Sequence, residues 1–255
     1  MKPDTTFTQI NGGITAPIGF RAAAVSCGIK VDALDLALIV SDNPASAAAM
    51  FTTNKTVAAP VTVCREHLKS SGGIARAIAV NSGCANACTG EPGLTNAQMM
   101  SQLLASEIHC PTEQTLVAST GVIGLPLEIS KIESGIITAA KNLDRHSNQE
   151  AAKAIMTTDP WPKETAVQVN TPAGSFTIGG MVKGSGMIEP MMATMLAFLT
   201  TDASIDSLQL RRALSSVTDE TFNAISVDGE CSTNDSVFLL ANGSSGISVS
   251  DAIYP

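Results

Sequence analysis

The chain has 255 residues, 44% of them hydrophobic and 15% charged, enough apolar side chain to build a sizeable core and too much for disorder. With 15 Lys and Arg against 23 Asp and Glu, the net charge is −8, and no basic run exists to neutralise phosphates, so nucleic-acid binding is not expected. Aromatic residues make up only 4%, so packing between layers is expected to rest on Ala, Val and Gly.

Along the chain, short β-type runs alternate with amphipathic stretches. Residues 20–29, 36–41, 48–53 and 74–80 read as strands bounded by turn residues. Residues 95–109 read as a helix, with Thr95 and Gln98 at capping-box spacing and Leu103, Leu104 and Ile108 on its apolar face. A strand at 115–119 runs into Thr120-Gly121. Helices follow at 127–143, with Ile129, Ile132, Ile136 and Ile137 at helical spacing, and at 150–156. Thr171-Pro172-Ala173-Gly174 reads as the turn of a hairpin between strands at 165–169 and 175–178. An apolar run at 191–199, a helix at 205–217, a polar loop at 228–235 and an apolar segment at 237–241 complete the chain. The sum is an α+β fold of layered mixed β-sheets flanked by helices. The segment at 237–241 has little sequence after it to cover it, and is expected to be poorly supported.

No membrane association is expected, because Asp32, Asp35 and Asp42 interrupt the most apolar early stretch. Met1-Lys2-Pro3-Asp4 has no apolar signal segment, so the cytoplasm is the expected compartment. Cys27, Cys64, Cys84, Cys88, Cys110 and Cys231 form no C-x-x-C pair. His67, His109 and His146 stand at unrelated spacings, so no metal site is expected.

Several chemical motifs fail on inspection. In the Gly-rich stretch at 179–186, Lys183 precedes Gly184, whereas a phosphate loop needs its lysine after the glycines and at the head of a helix. Ser41-Asp42-Asn43 matches one piece of the penicillin-recognising enzymes without the other two and reads as a turn. Ser119-Thr120-Gly121 closes a strand and can either aim a hydroxyl and N–H groups at an oxyanion or simply turn the chain. Asn81-Ser82-Gly83 with Asn86 leaves the same choice. Thr194, alone in an apolar run, reads on physical grounds as a buried hydroxyl bonded to nearby backbone.

The string Lys183-Gly184-Ser185-Gly186-Met187-Ile188-Glu189-Pro190-Met191-Met192-Ala193-Thr194-Met195-Leu196 closely resembles the cleavage-site signature of the ornithine acetyltransferase family, the bifunctional glutamate N-acetyltransferases of arginine biosynthesis. Further matches occur in order: Gly12 through Phe20, Phe51-Thr52-Thr53-Asn54-Lys55, Asn81 through Gly90, Ser119 through Gly124, Met156-Thr157-Thr158-Asp159, Thr200 through Ala203, and Ser226 through Asp235. Met191 and Cys84 depart from it, each standing where the family often has Asn.

The resemblance implies the layered fold of self-cleaving aminopeptidases and ornithine acetyltransferases. It implies cleavage between Ala193 and Thr194, giving an α chain of residues 1–193 and the start of a β chain at 194–255. Thr194 would be the nucleophile, its freed α-amine the base for its own hydroxyl. Thr120 and Gly121 would form the oxyanion pair, and Thr157, Lys183 and Thr194 would bind substrate. Acetyl would pass from N-acetylornithine to glutamate in a ping-pong cycle. No cofactor is implied, and acetyl-CoA stays open as a further donor. The family suggests an α2β2 assembly. Its members supply a later Glu, Asn and Ser or Thr with no counterpart in this sequence, so the chain reads as C-terminally short and is expected to be incompetent alone. Two other readings are weighed: an aminopeptidase or amidase of the same fold that discharges its acyl-enzyme to water, and a non-catalytic fragment that needs a complementary chain.

Overall fold

The computed structural model describes residues 5–187 and 195–249. Among the described residues, nine strands form one mixed sheet system: β1 (Thr6–Ile10), β2 (Phe20–Val25), β3 (Leu36–Phe51), β4 (Ile74–Cys84), β5 (Thr115–Val122), β6 (Lys163–Thr171), β7 (Gly174–Lys183), β8 (Leu196–Thr201) and β9 (Ser236–Ala241). The helices are α1 (Ala59–Ser70), α2 (Gly90–Ile108), α3 (Ile129–Lys141), α4 (Asn148–Ala154) and α5 (Ser207–Glu220). The strands lie in the order β1-β6-β7-β8-β9-β3-β4-β5, with β2 also on β3. Two neighbouring pairs are parallel, β4 with β5 and β8 with β9. Each needs a crossover, which α2 and α5 supply.

The long strand β3 links the two halves. Its first part pairs with β2 through Leu36 to Ser41, and its last part pairs with β9 through Ser46 to Phe51. Strand β4 lies along the opposite edge, and the register shifts between Val40 and Ala45. An irregularity of this kind bends a strand and increases its twist. The sequence reading of two strands, 36–41 and 48–53, is thus corrected to one strand that serves both halves.

Helices α1 to α4 pack on the β2–β5 half, and α5 packs on β3 and β9. Alternation along β8 and β9 separates two cores. Phe198, Phe238, Leu196 and Leu240 belong to the large core with β3 and β4, whereas Ala197, Val237 and Ala241 meet Leu210 and Leu214 of α5. On α3, Ile132, Gly135, Ile136 and Ala139 are buried at helical spacing. A Cβ on Gly135 would stand 2.7 Å from Leu36 Cδ2, so glycine permits the close seat of α3 on the sheet.

Some expectations change. The helix expected from Thr95 begins at Gly90, with Pro92 in a first turn where a missing N–H costs little. Thr95 is therefore helix interior, not a cap. Helix α1 and strand β1 were not expected. The strand expected at 20–29 ends at Val25, because Cys27, Ile29 and Lys30 turn their N–H groups onto the Asp35 carboxylate. The segment at 237–241 is not poorly supported. It is a central strand between β8 and β3, with Val237 and Phe238 fully buried.

Phe238 stacks on Phe198 with ring centroids 5.4 Å apart and meets Phe51 edge-on at 5.8 Å. Phe238→Ala is expected to cost about 3–5 kcal/mol in urea unfolding, as for other buried aromatic truncations. A loss under about 1 kcal/mol would contradict the place of β9 in the core.

Candidate functional site

The C-terminal ends of β4, β5 and β7 meet the segment that leads into β9. Strands β4 and β5 run in parallel register with Gly83 opposite Gly121. Gly121 has φ +132, and a Cβ there would lie 2.3 Å from the Gly83 carbonyl carbon. Only glycine fits this approach. Asn81 and Ser119, two residues earlier on the two strands, bond through Ser119 Oγ to Asn81 Oδ1 at 2.6 Å. Asn234 then ties the strand ends to the β9 segment, its Nδ2 donating to Ala85 O at 2.7 Å and Ser119 O at 2.9 Å.

Lys183, the last residue of β7, is 3% exposed. Its Nζ donates to Thr120 Oγ1 at 3.0 Å and to Thr157 Oγ1 at 2.8 Å. Because an ammonium only donates, each threonine oxygen accepts here and keeps its own proton free to donate elsewhere. Three sequence-named residues, Thr120, Thr157 and Lys183, are thereby brought together, with Gly121 beside Thr120. They line a cavity of about 510 Å³, into which Lys30, Asn234 and Met187 also face.

A second layer fixes Lys183. Asp159 accepts from Gly184 N at 2.8 Å and pairs with Lys163, which also donates to Gly184 O at 3.0 Å. Burial works to raise the Asp159 pKa, but the Lys163 hydrogen bond, the Gly184 N–H and the charges of Lys163 and Lys183 outweigh it and hold the carboxyl below its usual range. For Lys183, burial depresses the pKa, and the carboxylates Asp159 and Asp235 restore only part. Asp235 is pushed up to about 7 by burial, against the pull of Met195 N–H, Ser232 and the Lys183 charge.

Ala193 and Thr194 lie outside the described residues. Met195, which follows them, is buried, and its N–H donates to Asp235 Oδ1 at 3.0 Å. Lys30, Asn234 and Asp235 were not picked out as site residues by sequence reasoning. Asn234-Asp235 sits in a polar loop just before an apolar strand, a pattern that could have marked it. Lys30 carries no local signal. Among the described residues, no group of three His, Cys, Asp or Glu side chains is placed to hold a metal ion, and no helix is long and apolar enough to cross a membrane.

A layered α+β chain with a buried lysine bridging two threonines at converging strand ends is the class of protein that emerges. The ArgJ family profile matches residues 21–253, and the chain belongs to that family. The arginine biosynthesis bifunctional protein ArgJ of Thermosynechococcus vestitus is 49% identical over 238 residues, 93% of this chain and 57% of that protein. The ArgJ protein of Shouchella clausii is 47% identical over 247 residues, 97% of this chain and 60% of that protein. The chain thus spans well under two thirds of the length of these relatives. Among solved structures, ArgJ from Bacillus halodurans aligns with TM-score 0.69 and 37% identity, covering 75% of this chain and 99% of that one. Ornithine acetyltransferase from Mycobacterium tuberculosis, complexed with ornithine, aligns with TM-score 0.66 and 36% identity, covering 72% and 98%.

Lys183 is held in the site at the expense of stability. Its folded pKa lies below the ordinary lysine value, so its charge opposes folding at every pH below that folded value. The opposition fades as pH rises from there toward the unfolded value. The stability of Lys183→Met relative to the natural chain is therefore expected to fall as pH rises from the folded lysine pKa toward the ordinary lysine value, read as the difference in Tm across a pH series. A large fall in Tm at pH 7 would show that the lysine is chiefly structural.

Proposed function

We propose that this chain provides the nucleophile and oxyanion groups of an N-acetyltransferase that moves acetyl from N-acetylornithine to glutamate in arginine biosynthesis. Membership of the ArgJ family across residues 21–253 is the observation that carries this reading. The Lys183 bridge between Thr120 and Thr157 supports it.

In the proposed cycle, the Thr194 hydroxyl first attacks the Ala193 carbonyl carbon, the acyl group shifts from the Thr194 nitrogen to its hydroxyl oxygen, and water hydrolyses the resulting ester, leaving a carboxylate on Ala193 and a free α-amine on Thr194 and dividing the chain into residues 1–193 and 194–255. The α-amine freed on Thr194 takes the proton of its own hydroxyl. The hydroxyl oxygen bonds to the acetyl carbonyl carbon, and the Thr120 hydroxyl and Gly121 N–H meet the negative charge that develops on the carbonyl oxygen. Collapse breaks the C–N bond, and the ornithine amine leaves with the proton. The glutamate amine then attacks acetyl-Thr194 by the same steps in reverse. Lys183 and Thr157 bind the amino-acid substrates, the lysine as a compact charge toward a carboxylate. After the cut, which consumes one water, every step uses groups of the chain and its two amino-acid substrates; acetyl-CoA would enter only as a second donor, an addition to which the word bifunctional in the relatives' names lends weight. The proposal extends to an α2β2 assembly of the cleaved chains and a cytoplasmic location, checked by solution mass and by fractionation.

Intact mass tests the cleavage. The natural chain is expected to yield two pieces, the second beginning at Thr194, and Thr194→Ala one piece. A single piece beginning at Met1 in both would remove the basis of the mechanism. Transfer is tested with labelled N-acetylornithine and glutamate, with the full-length Thermosynechococcus vestitus relative assayed beside this chain. In whichever protein turns over, alanine at the Thr120 position is expected to lower kcat by about 10²-fold and change KM much less, since the contact tightens as charge develops. An unchanged kcat would contradict the oxyanion role.

A further inference from the structure

Lys30 is the second lysine that lines the cavity, and the cycle above gives it no task. Its place is built from three directions. Asp35, fully buried, draws the backbone inward by accepting the N–H groups of Cys27 at 2.6 Å, Ile29 at 2.7 Å and Lys30 at 2.9 Å. Gly83 leaves room for the side-chain stem, since a Cβ there would stand 2.9 Å from Lys30 Cγ. The tip then donates to Met156 O at 3.0 Å. That carbonyl is the one hydrogen-bond partner of Lys30 Nζ among the described residues, so further ammonium hydrogens are left for a ligand. Asp35 acts on the Lys30 charge, but the two side chains form no ion pair.

Met156 and Thr157 are consecutive in the chain. Met156 O holds Lys30, and Thr157 Oγ1 holds Lys183 at 2.8 Å. Consecutive Cα atoms are about 3.8 Å apart, so the two ammonium groups are neighbours anchored side by side. Each charge is felt by the other: Lys30 is among the groups that depress the Lys183 pKa. Asp159 and Asp235 compensate Lys183 from behind, and neither lines the cavity. No Asp or Glu is found among the described lining residues. Two like charges therefore face a space whose described walls carry none of the opposite sign. A ligand with one carboxylate answers one of them, and a short dicarboxylate answers both.

We propose that Lys30 takes the side-chain carboxylate of the acceptor amino acid while Lys183 takes its α-carboxylate, so that Lys30 is a specificity-determining residue for a dicarboxylate. The proposal rests on the acetyl-transfer reading above. N-acetylornithine and glutamate share an α-carboxylate and differ at the far end. The donor ends in an ammonium, which Lys30 repels, and the acceptor ends in a carboxylate, which Lys30 attracts. The same charge thus eases ornithine out after the first half of the cycle and draws glutamate in for the second.

The test uses glutarate and butyrate, a dicarboxylate and a monocarboxylate that have no amine to react. Titrated into the natural chain and followed by NMR shifts, glutarate is expected to bind at least about tenfold more tightly than butyrate, the scale of one charge-assisted hydrogen bond. Lys30→Gln keeps a donor for Met156 O and removes the charge; it is expected to abolish the preference, and Lys30→Arg to retain it. Equal affinities in the natural chain, no binding of glutarate, or a preference that survives in Lys30→Gln would each overturn the inference. Should the variants fail to fold, the natural chain decides: glutarate is expected to slow acetylation of Lys30 by acetic anhydride, read by peptide mass spectrometry, and butyrate to leave it unchanged. Equal labelling of Lys30 with both would contradict the assignment. In the transfer assay, Lys30→Gln is expected to raise the glutamate KM about tenfold without raising that for N-acetylornithine. A parallel rise in both would show that Lys30 serves the shared α-carboxylate or only props the Met156 loop. Transfer that proceeds with no glutarate preference overturns this inference alone. Failure of transfer in both this chain and the Thermosynechococcus vestitus relative removes the transfer reading, and with it the part of Lys30 in choosing an acceptor.

Discussion

The burial of one ammonium group organises this end of the molecule. Lys183 sits almost wholly out of water at the end of β7. A lysine is tolerated there only if its hydrogens find acceptors and its charge finds compensation. Thr120 from β5 and Thr157 from the loop after α4 supply the acceptors, and Asp159 and Asp235 the compensation. Three separate parts of the chain are thereby drawn to one point. The same bonds turn two threonine hydroxyls into donors whose protons are free for a ligand. A group that opposes folding is in this way the one that arms the cavity, a trade commonly seen at functional sites.

The sheet makes that convergence possible. Strand β3 carries β2 on one half of an edge and β9 on the other, so the elements that bear Thr120 and those that bear Asp235 belong to one continuous framework. At the site itself the strands approach so closely that Gly121 cannot be exchanged for a residue with a side chain. Asn234 locks the arrangement by reaching from the start of β9 to the backbone at the ends of β4 and β5. The rigid part thus surrounds the N-terminal end of β8, where Met195 is held by Asp235 and Ser236.

Much of the layered fold was legible from period alone. Helix α3 and the β6–β7 hairpin fall where their spacing and turn residues put them. Helix α1 was not, because Pro60 and the β-branched Val61, Thr62 and Val63 speak against a helix locally, and burial of Val61, Val63 and Cys64 overrides that preference. Strand β1 is mostly exposed, and its pairing with β6 leaves no hydrophobic pattern to read. For the site, the resemblance named Thr120, Gly121, Thr157 and Lys183. Physics alone had left Thr120-Gly121 between a turn and an oxyanion pair, since what distinguishes them is contact with a lysine 63 residues away. Asp235 escaped notice for the same reason: its partner, Met195, is 40 residues distant and offers only a backbone N–H.

The central claim is that this lysine-anchored cavity serves acyl transfer to the residue at position 194. The most direct measurement incubates the protein with N-acetylornithine, quenches it in acid, and locates added acetyl by peptide mass spectrometry. The account predicts one acetyl group on the peptide that begins at Thr194, and its loss when glutamate is added before the quench. Acetyl found only on lysine side chains, in this chain or in the full-length Thermosynechococcus vestitus relative under the same conditions, would contradict it.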